Sequence, residues 1–275
     1  MGTLDLRRAH HQDALAVYSD AGFLIVPDLF SEREVACVAR GFPSVTLNPS
    51  PKVIRETNGD IRSVFLEAGD CRAVDVFVRQ WRLISMAEAV VGSQVYAYQV
   101  KINIKKGLSG DVWPWHQDYV FWREKDGLQS PRVLTVGVLL DEATEFNGPM
   151  LFVPGSHRQG MLRAHRSAES TSDYANDLAA DLSFVLKGDV MGPLVEKSGI
   201  VSAKGKVGTT ILFDANVVHS SANNLSPSDR KILFVTYCSV DNGLDLSPPR
   251  RPNFLANRDR APLEPLPEDA FLSLF

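Results

Sequence analysis

Apolar positions along the chain come in two textures. Early on they recur at helical spacing, over residues 11–20 before Gly22 and over residues 74–91, where Val76, Trp81, Ile84, Ala87, Val90 and Val91 keep a helical period. Between them, Phe23-Leu24-Ile25-Val26 is a short apolar run stopped by Pro27, which predicts a strand. Ser31-Glu32-Arg33-Glu34 has capping-box spacing and predicts a helix start. Residues 47–60 carry Asn48-Pro49-Ser50-Pro51 and Asn58-Gly59 and read as loop and hairpin.

From residue 95 the texture is that of strands. Residues 95–104 are β-branched and aromatic with partial alternation, and residues 133–140, 150–153, 209–213 and 232–237 are similar short runs. Turn-forming clusters such as Asn147-Gly148-Pro149 separate them. Helices followed by many short strands predict an α+β, mainly β chain with an antiparallel barrel or sandwich. Residues 160–205 are polar without a strong period, and so long an insert reads as a lid or binding loop.

Composition narrows the class. With 275 residues, 44% of them hydrophobic, the chain can bury a core as a single domain spanning residues 1–275, its centre at about 21–240. A net charge of −4 offers no basic excess for nucleic acid or an anionic membrane surface. The cysteines, Cys37, Cys71 and Cys238, are too few and too scattered for a disulfide framework or a thiolate metal site. The polar first residues lack a secretory apolar core, and no apolar run has the length of a membrane span. These features predict a cytoplasmic protein, monomer or homodimer, acting on a small molecule.

The candidate chemistry begins at Trp115-His116-Gln117-Asp118-Tyr119. On a strand, His116 and Asp118 would share a face and present an imidazole beside a carboxylate. His219, after the run Ile211-Leu212-Phe213 and a short turn, would complete a 2-His-1-carboxylate facial set, which leaves one side of an iron open. Arg230 opens the strand 232–237, where a guanidinium can hold the far end of a dicarboxylate as a bidentate pair. Thr135 shares a strand face with Val133, Gly137 and Leu139 and would point into the same barrel. A zinc hydrolase using the same three ligands, or a non-catalytic binding protein, are the other classes open. The first would leave Arg230 and Thr135 without a task.

The set His116-Gln117-Asp118, Asn147-Gly148-Pro149, Val153-Pro154-Gly155-Ser156-His157, His219 and Arg230 resembles the phytanoyl-CoA dioxygenase superfamily of non-haem Fe(II)/2-oxoglutarate-dependent oxygenases. Residues 99–103 and 115–122, with Asp126-Gly127, resemble its ectoine hydroxylase branch. Lys101-Ile102-Asn103, residues 144–149 and Gly155-Ser156-His157 look closest to bacterial free-amino-acid hydroxylases of the leucine type. The resemblance runs from about residue 21 to residue 237. It implies a double-stranded β-helix, a cupin-like jelly roll with surrounding helices. It implies Fe(II) on His116, Asp118 and His219, with 2-oxoglutarate and O2 as co-substrates. It further implies that Arg230, Thr135 and Asn103 contact 2-oxoglutarate, that Gln99 and Trp122 line the substrate pocket, and that His157 is structural.

Related halogenases have a small residue at the carboxylate position, so Asp118 points to hydroxylation of an unactivated C–H bond. Residues 110–114 depart from the ectoine pattern, and Lys101 stands where ectoine hydroxylases carry arginine. The expected substrate is therefore a free amino acid of secondary metabolism, with ectoine or another small natural product as the alternative. Its carboxylate needs a cation, for which Lys101, Arg62 and Arg258 are candidates, each reading equally as a solvated surface charge.

Overall fold

Strand formation in the second half of the chain is governed by which face of each strand meets apolar partners. The computed structural model describes residues 11–42, 50–166, 174, 178, 182–247, 251–267 and 269–270. The elements in order are α1 (His11–Ala21), β1 (Phe23–Val26), α2 (Glu32–Gly41), β2 (Val53–Arg55), β3 (Ile61–Leu66), α3 (Arg72–Val78), α4 (Trp81–Val91), β4 (Val95–Lys105), β5 (Trp113–His116) and α5 (Asp118–Asp126). After them come β6 (Val133–Leu139), β7 (Met150–Phe152), a short 3-10 turn (Ser156–Gln159), β8 (His165–Arg166), β9 (Phe184–Val185), α6 (Gly188–Ser198), β10 (Val201–Ala203), β11 (Thr210–Asp214), β12 (His219–Ser221) and β13 (Arg230–Ser239).

A seven-stranded sheet runs β1-β11-β6-β13-β4-β3-β2, and a four-stranded sheet runs β10-β7-β12-β5. Their pairings are antiparallel. This is an α+β fold with a double antiparallel sheet core flanked by helices, the cupin-like double-stranded β-helix arrangement. One face of the large sheet, with Ile102, Val136, Leu212, Leu233 and Val235, packs under α1–α4. The other face, with Leu139, Ile211, Phe213, Ile232 and Phe234, meets Met150 and Phe152 of the small sheet. The alternation of period two thus separates two cores, and the second opens into the site. Gly137 makes room there, since a Cβ on it would stand 2.7 Å from the Phe234 ring.

Several expectations change in the folded chain. Ser31 and Glu34 do close a reciprocal capping box on α2. The helical stretch 74–91 is two helices, broken at Arg79 and Gln80, where the Leu266 N–H donates to the Arg79 carbonyl. Residues 160–205 are not irregular throughout: they contain β8, β9, α6 and β10, while 167–173, 175–177 and 179–181 lie outside the described residues. Among the described residues, no helix is long and apolar enough to cross a membrane.

Candidate active site

His116 is the last residue of β5, and Asp118 is the first of α5. The two ligands therefore do not share a strand face, as their spacing suggested. A corner between strand and helix brings them together, and Gln117 pins it. Its amide donates to the carbonyls of Gly160 and Asn216, and its Oε1 accepts from the Leu162 N–H. Asp118 thereby occupies a helix N-terminus, where a carboxylate is favoured. His219 opens β12 and pairs directly with His116 across the small sheet.

The geometry suits a metal. His116, Asp118 and His219 each offer one ligand atom, all within 4.8 Å of one another. The Nε2 atoms of His116 and His219 stand 3.6 and 3.8 Å from Asp118 Oδ1. Each Nδ1–H donates to a backbone carbonyl, His116 to Pro114 at 2.6 Å and His219 to Val217 at 3.0 Å. A carbonyl can only accept, so the proton is held on Nδ1 and the Nε2 lone pair faces the site. Burial, with His116 alongside, pushes the His219 imidazole down to about 4, against the pull of Asp118. Burial alone would raise Asp118, but the two imidazoles beside it and the nearby Lys101 outweigh it and hold the carboxyl well below its usual range. A neutral His219 beside an ionised carboxylate is the ligand state that a divalent cation needs.

Around this triad, one pocket gathers most of the expected residues. Gln99, Lys101 and Asn103 of β4, Trp122 of α5, Thr135 of β6 and Arg230 of β13 all line it. Arg230 is buried, and its Nη2 donates to the Gly148 carbonyl at 2.7 Å, while its buried Nε has no hydrogen-bond partner. Burial lowers its pKa to about 10, so it stays charged at neutral pH. An orphaned N–H on a buried guanidinium fits an arriving carboxylate. Gly148 is required for this contact: its φ is +74°, and a Cβ would stand 2.5 Å from the Ala222 carbonyl. Thr135 and Thr236 face each other across β6 and β13, hydroxyls 3.3 Å apart, and Asn103 accepts from the Ser63 hydroxyl at 2.9 Å. Lys101 has its pKa lowered by burial, partly offset by Asp118.

Two expected cations are not among the lining residues. Arg62 is fully buried and committed to Leu178 O, Glu56 and Val112 O, with its guanidinium stacked 3.7 Å over the Trp113 ring. Arg258 donates to the Arg251 carbonyl and to Asn253 Oδ1. The cation that the tail does bring to the pocket is Arg251, which the sequence reading missed. Its only local signal is a basic run, Arg250-Arg251, among prolines. Phe213, Phe234, Trp113 and Phe121 complete an aromatic wall that apolar periodicity could not separate from ordinary core. His157, read as structural, places its Nε2 3.1 Å from the Ser19 carbonyl.

Residues 18–232 match the family described as phytanoyl-CoA dioxygenase. The chain is 32% identical to L-proline trans-4-hydroxylase of Streptomyces griseoviridis, covering 94% of this chain and 96% of that protein. It is 34% identical to the ectoine dioxygenase of Nocardia farcinica, covering 92% and 87%. The crystal structure of EctD from S. alaskensis with 2-oxoglutarate and 5-hydroxyectoine superposes with a TM-score of 0.78 at 29% identity, over 94% of this chain and 87% of that one. These relatives support the ectoine dioxygenase branch and give no support to the leucine-type branch that the motifs suggested. The triad His116, Asp118 and His219 matches the Fe(II) and 2-oxoglutarate site of such oxygenases. The chain belongs to the phytanoyl-CoA dioxygenase family, as a non-haem Fe(II)/2-oxoglutarate-dependent hydroxylase.

Proposed function

We propose that the enzyme hydroxylates an unactivated C–H bond of a small cyclic carboxylic acid with a ring nitrogen, ectoine first. The observation that carries this is the charge layout of the pocket. Besides the triad it has two anchored guanidiniums, Arg230 and Arg251. Arg230 pairs with Lys105 at one end of β4, whereas Arg251 is tied through Asp126 to Tyr98 near the other. Roughly 20 Å of strand separates these anchoring points, so the two guanidiniums are held independently, which supports a pocket for two different anions. Most of the relatives described above act on ectoine by name, and one acts on L-proline. Both compounds are compact rings bearing a carboxylate.

Bound Fe(II) with 2-oxoglutarate and O2 would supply the oxidant, one oxygen entering the substrate as 2-oxoglutarate leaves as succinate and CO2. In this reading Arg230 holds the far carboxylate of 2-oxoglutarate as a charge-assisted pair, with Thr135 and Asn103 alongside. Arg251 takes the substrate carboxylate, and Gln99 and Lys101 are further polar contacts. Trp122, Phe213 and Phe234 hold the ring and exclude water. Leu178 and Leu182 also line the pocket, which supports a covering role for these two residues. A second reading, L-proline as substrate, is favoured by the Streptomyces relative.

The test is aerobic incubation with Fe(II) and 2-oxoglutarate against ectoine, L-proline and the other standard amino acids, read by mass spectrometry. A gain of one oxygen on ectoine is the expected result. Turnover confined to L-proline establishes the second reading. Turnover only of open-chain amino acids, or only of carrier-bound acyl groups, overturns the cyclic-substrate assignment.

A further inference from the structure

Asp126 ends α5, and its side chain is 1% exposed. A carboxylate at a helix C-terminus opposes the helix dipole, and burying it adds a desolvation cost. Its partners offset both. Arg251 Nε donates to Oδ1 at 2.7 Å and Arg251 Nη2 to Oδ2 at 2.6 Å, a bidentate fork. The Tyr98 hydroxyl donates to Oδ2 at 2.5 Å.

Tyr98 reaches this position through a defect in its strand. The register of β4 on β13 shifts at this point: Ala97 pairs with Tyr237 and Gln99 with Thr236, so Tyr98 is the extra residue of a bulge. Bulges re-aim side chains beside active sites. Here the bulge lets Tyr98 and Gln99 both face the pocket side. Tyr98 packs edge-on against Trp122, ring centroids 5.6 Å apart, and Gln99 donates to the Leu255 carbonyl.

The helix that carries Asp126 also carries the metal ligand Asp118 at its first residue, about 12 Å away along the axis. The residue that holds the pocket guanidinium and the residue that holds the metal are thus two ends of one short rigid element. We infer that Asp126, with Tyr98, is a positioning residue: it sets Arg251 relative to the Asp118 end of α5, so that a substrate anion held by Arg251 presents one chosen carbon to the oxidant. This rests on the reading above that Arg251 takes the substrate carboxylate. Asp126 itself touches no substrate.

The experiment compares wild type with Asp126→Asn, Asp126→Glu, Tyr98→Phe and Arg251→Ala, using whichever of ectoine and L-proline gains oxygen. Four quantities are read: KM for that substrate, KM for 2-oxoglutarate, the ratio of succinate formed to substrate hydroxylated, and Tm. Positioning predicts that Asp126→Asn raises the substrate KM by roughly tenfold, as expected for disturbing a charged contact. The KM for 2-oxoglutarate should stay within about twofold, well under the tenfold that 1.4 kcal/mol represents. The succinate-to-product ratio should rise above that of wild type. Asp126→Glu keeps the charge but displaces the fork, and should also raise that ratio with Tm preserved. Tyr98→Phe should move the same quantities in the same direction by less, and it decides the matter with Asp126→Glu if Asp126→Asn does not fold. If Arg251→Ala raises the substrate KM while the folded Asp126 and Tyr98 variants leave both the KM and the ratio unchanged, the positioning role is wrong and the Arg251 reading stands. If the variants lower only Tm, the network is a fastener for the tail and the inference fails. If Arg251→Ala leaves the substrate KM unchanged, or neither compound is oxidised, the underlying reading fails and this inference falls with it.

Discussion

Arg230 has one fixed acceptor, the Gly148 carbonyl, and an unpartnered Nε in a buried setting. Removing it should therefore be specific. Arg230→Ala is expected to raise the KM for 2-oxoglutarate at least tenfold, the loss of a buried charged contact being on the order of 2–5 kcal/mol, while the primary substrate's KM changes less. Steady-state kinetics with each substrate varied in turn checks this, and a shift within twofold for 2-oxoglutarate would place the co-substrate elsewhere. Behind Arg230, the Lys105 ammonium is pushed down to about 6, first by burial, then by Arg230 and Arg62. Its folded pKa thus lies below that of a free lysine, about 10.4. Between those values the unfolded chain binds the extra proton, so folding stability rises with pH across that window and is lost as pH falls toward 6. Lys105→Met should flatten this slope, by at most about 1.4 kcal/mol per pH unit. Urea unfolding at several pH values between 7 and 9.5 measures it, and parallel curves for the two proteins would exclude Lys105 as the source.

At the scale of elements, α5 concentrates the site: Asp118 begins it, Trp122 lies within it, and Asp126 ends it. Gly127 terminates it in the left-handed region at φ +76°, and a Cβ there would stand 1.9 Å from the Asp245 carbonyl. Gly127→Ala is expected to cost about 1–3 kcal/mol from backbone strain alone, and activity should fall with it because both ends of the helix matter. Gly59→Ala is the control, for it has φ +89° but nothing within 4 Å of the added Cβ. Equal losses in urea titrations of the two variants would show that only backbone conformation, and not the close approach to Asp245, is at work. The capping box of α2 was legible because Ser31 and Glu34 interact within one turn. The break between α3 and α4 was not, because the apolar period runs on through Arg79 and Gln80. The tail decides it, through Leu266 and a buried Gln80. The corner at Gln117 was hidden for the same reason: its three hydrogen bonds run to residues 160, 162 and 216.

For the whole molecule, the metal ligands come from β5, α5 and β12, so a bound ion cross-links the small sheet to the site helix. Fe(II) or a redox-inert divalent surrogate, with 2-oxoglutarate, should raise Tm, and a chelator should lower it again. At a hundredfold excess over Kd the stabilisation is about 2.7 kcal/mol. Asp118→Ala should lose most of that shift together with turnover, since two neutral imidazoles remain. An undiminished shift in scanning calorimetry would remove Asp118 from the ligand set. The sequence by itself determined the donor chemistry, because histidine is scarce in this chain and His116, Asp118, His219 and Arg230 flank recognisable strand runs. It also determined the face of the regular strand β6, because side chains alternate there with a period of two, and this set Thr135 beside Gly137 and Leu139. Only the tertiary structure decided which cations serve the pocket. Nothing in the immediate sequence neighbours of Arg62, Arg251 and Arg258 marks one of them for the pocket. In the fold Arg62 is buried against Glu56, Arg258 props a backbone carbonyl, and Arg251 is carried into the pocket by Asp126. Within an unbroken strand, local pattern reports the face on which a side chain projects. The partner that it meets there depends on packing between segments far apart in the chain, and no local period records that.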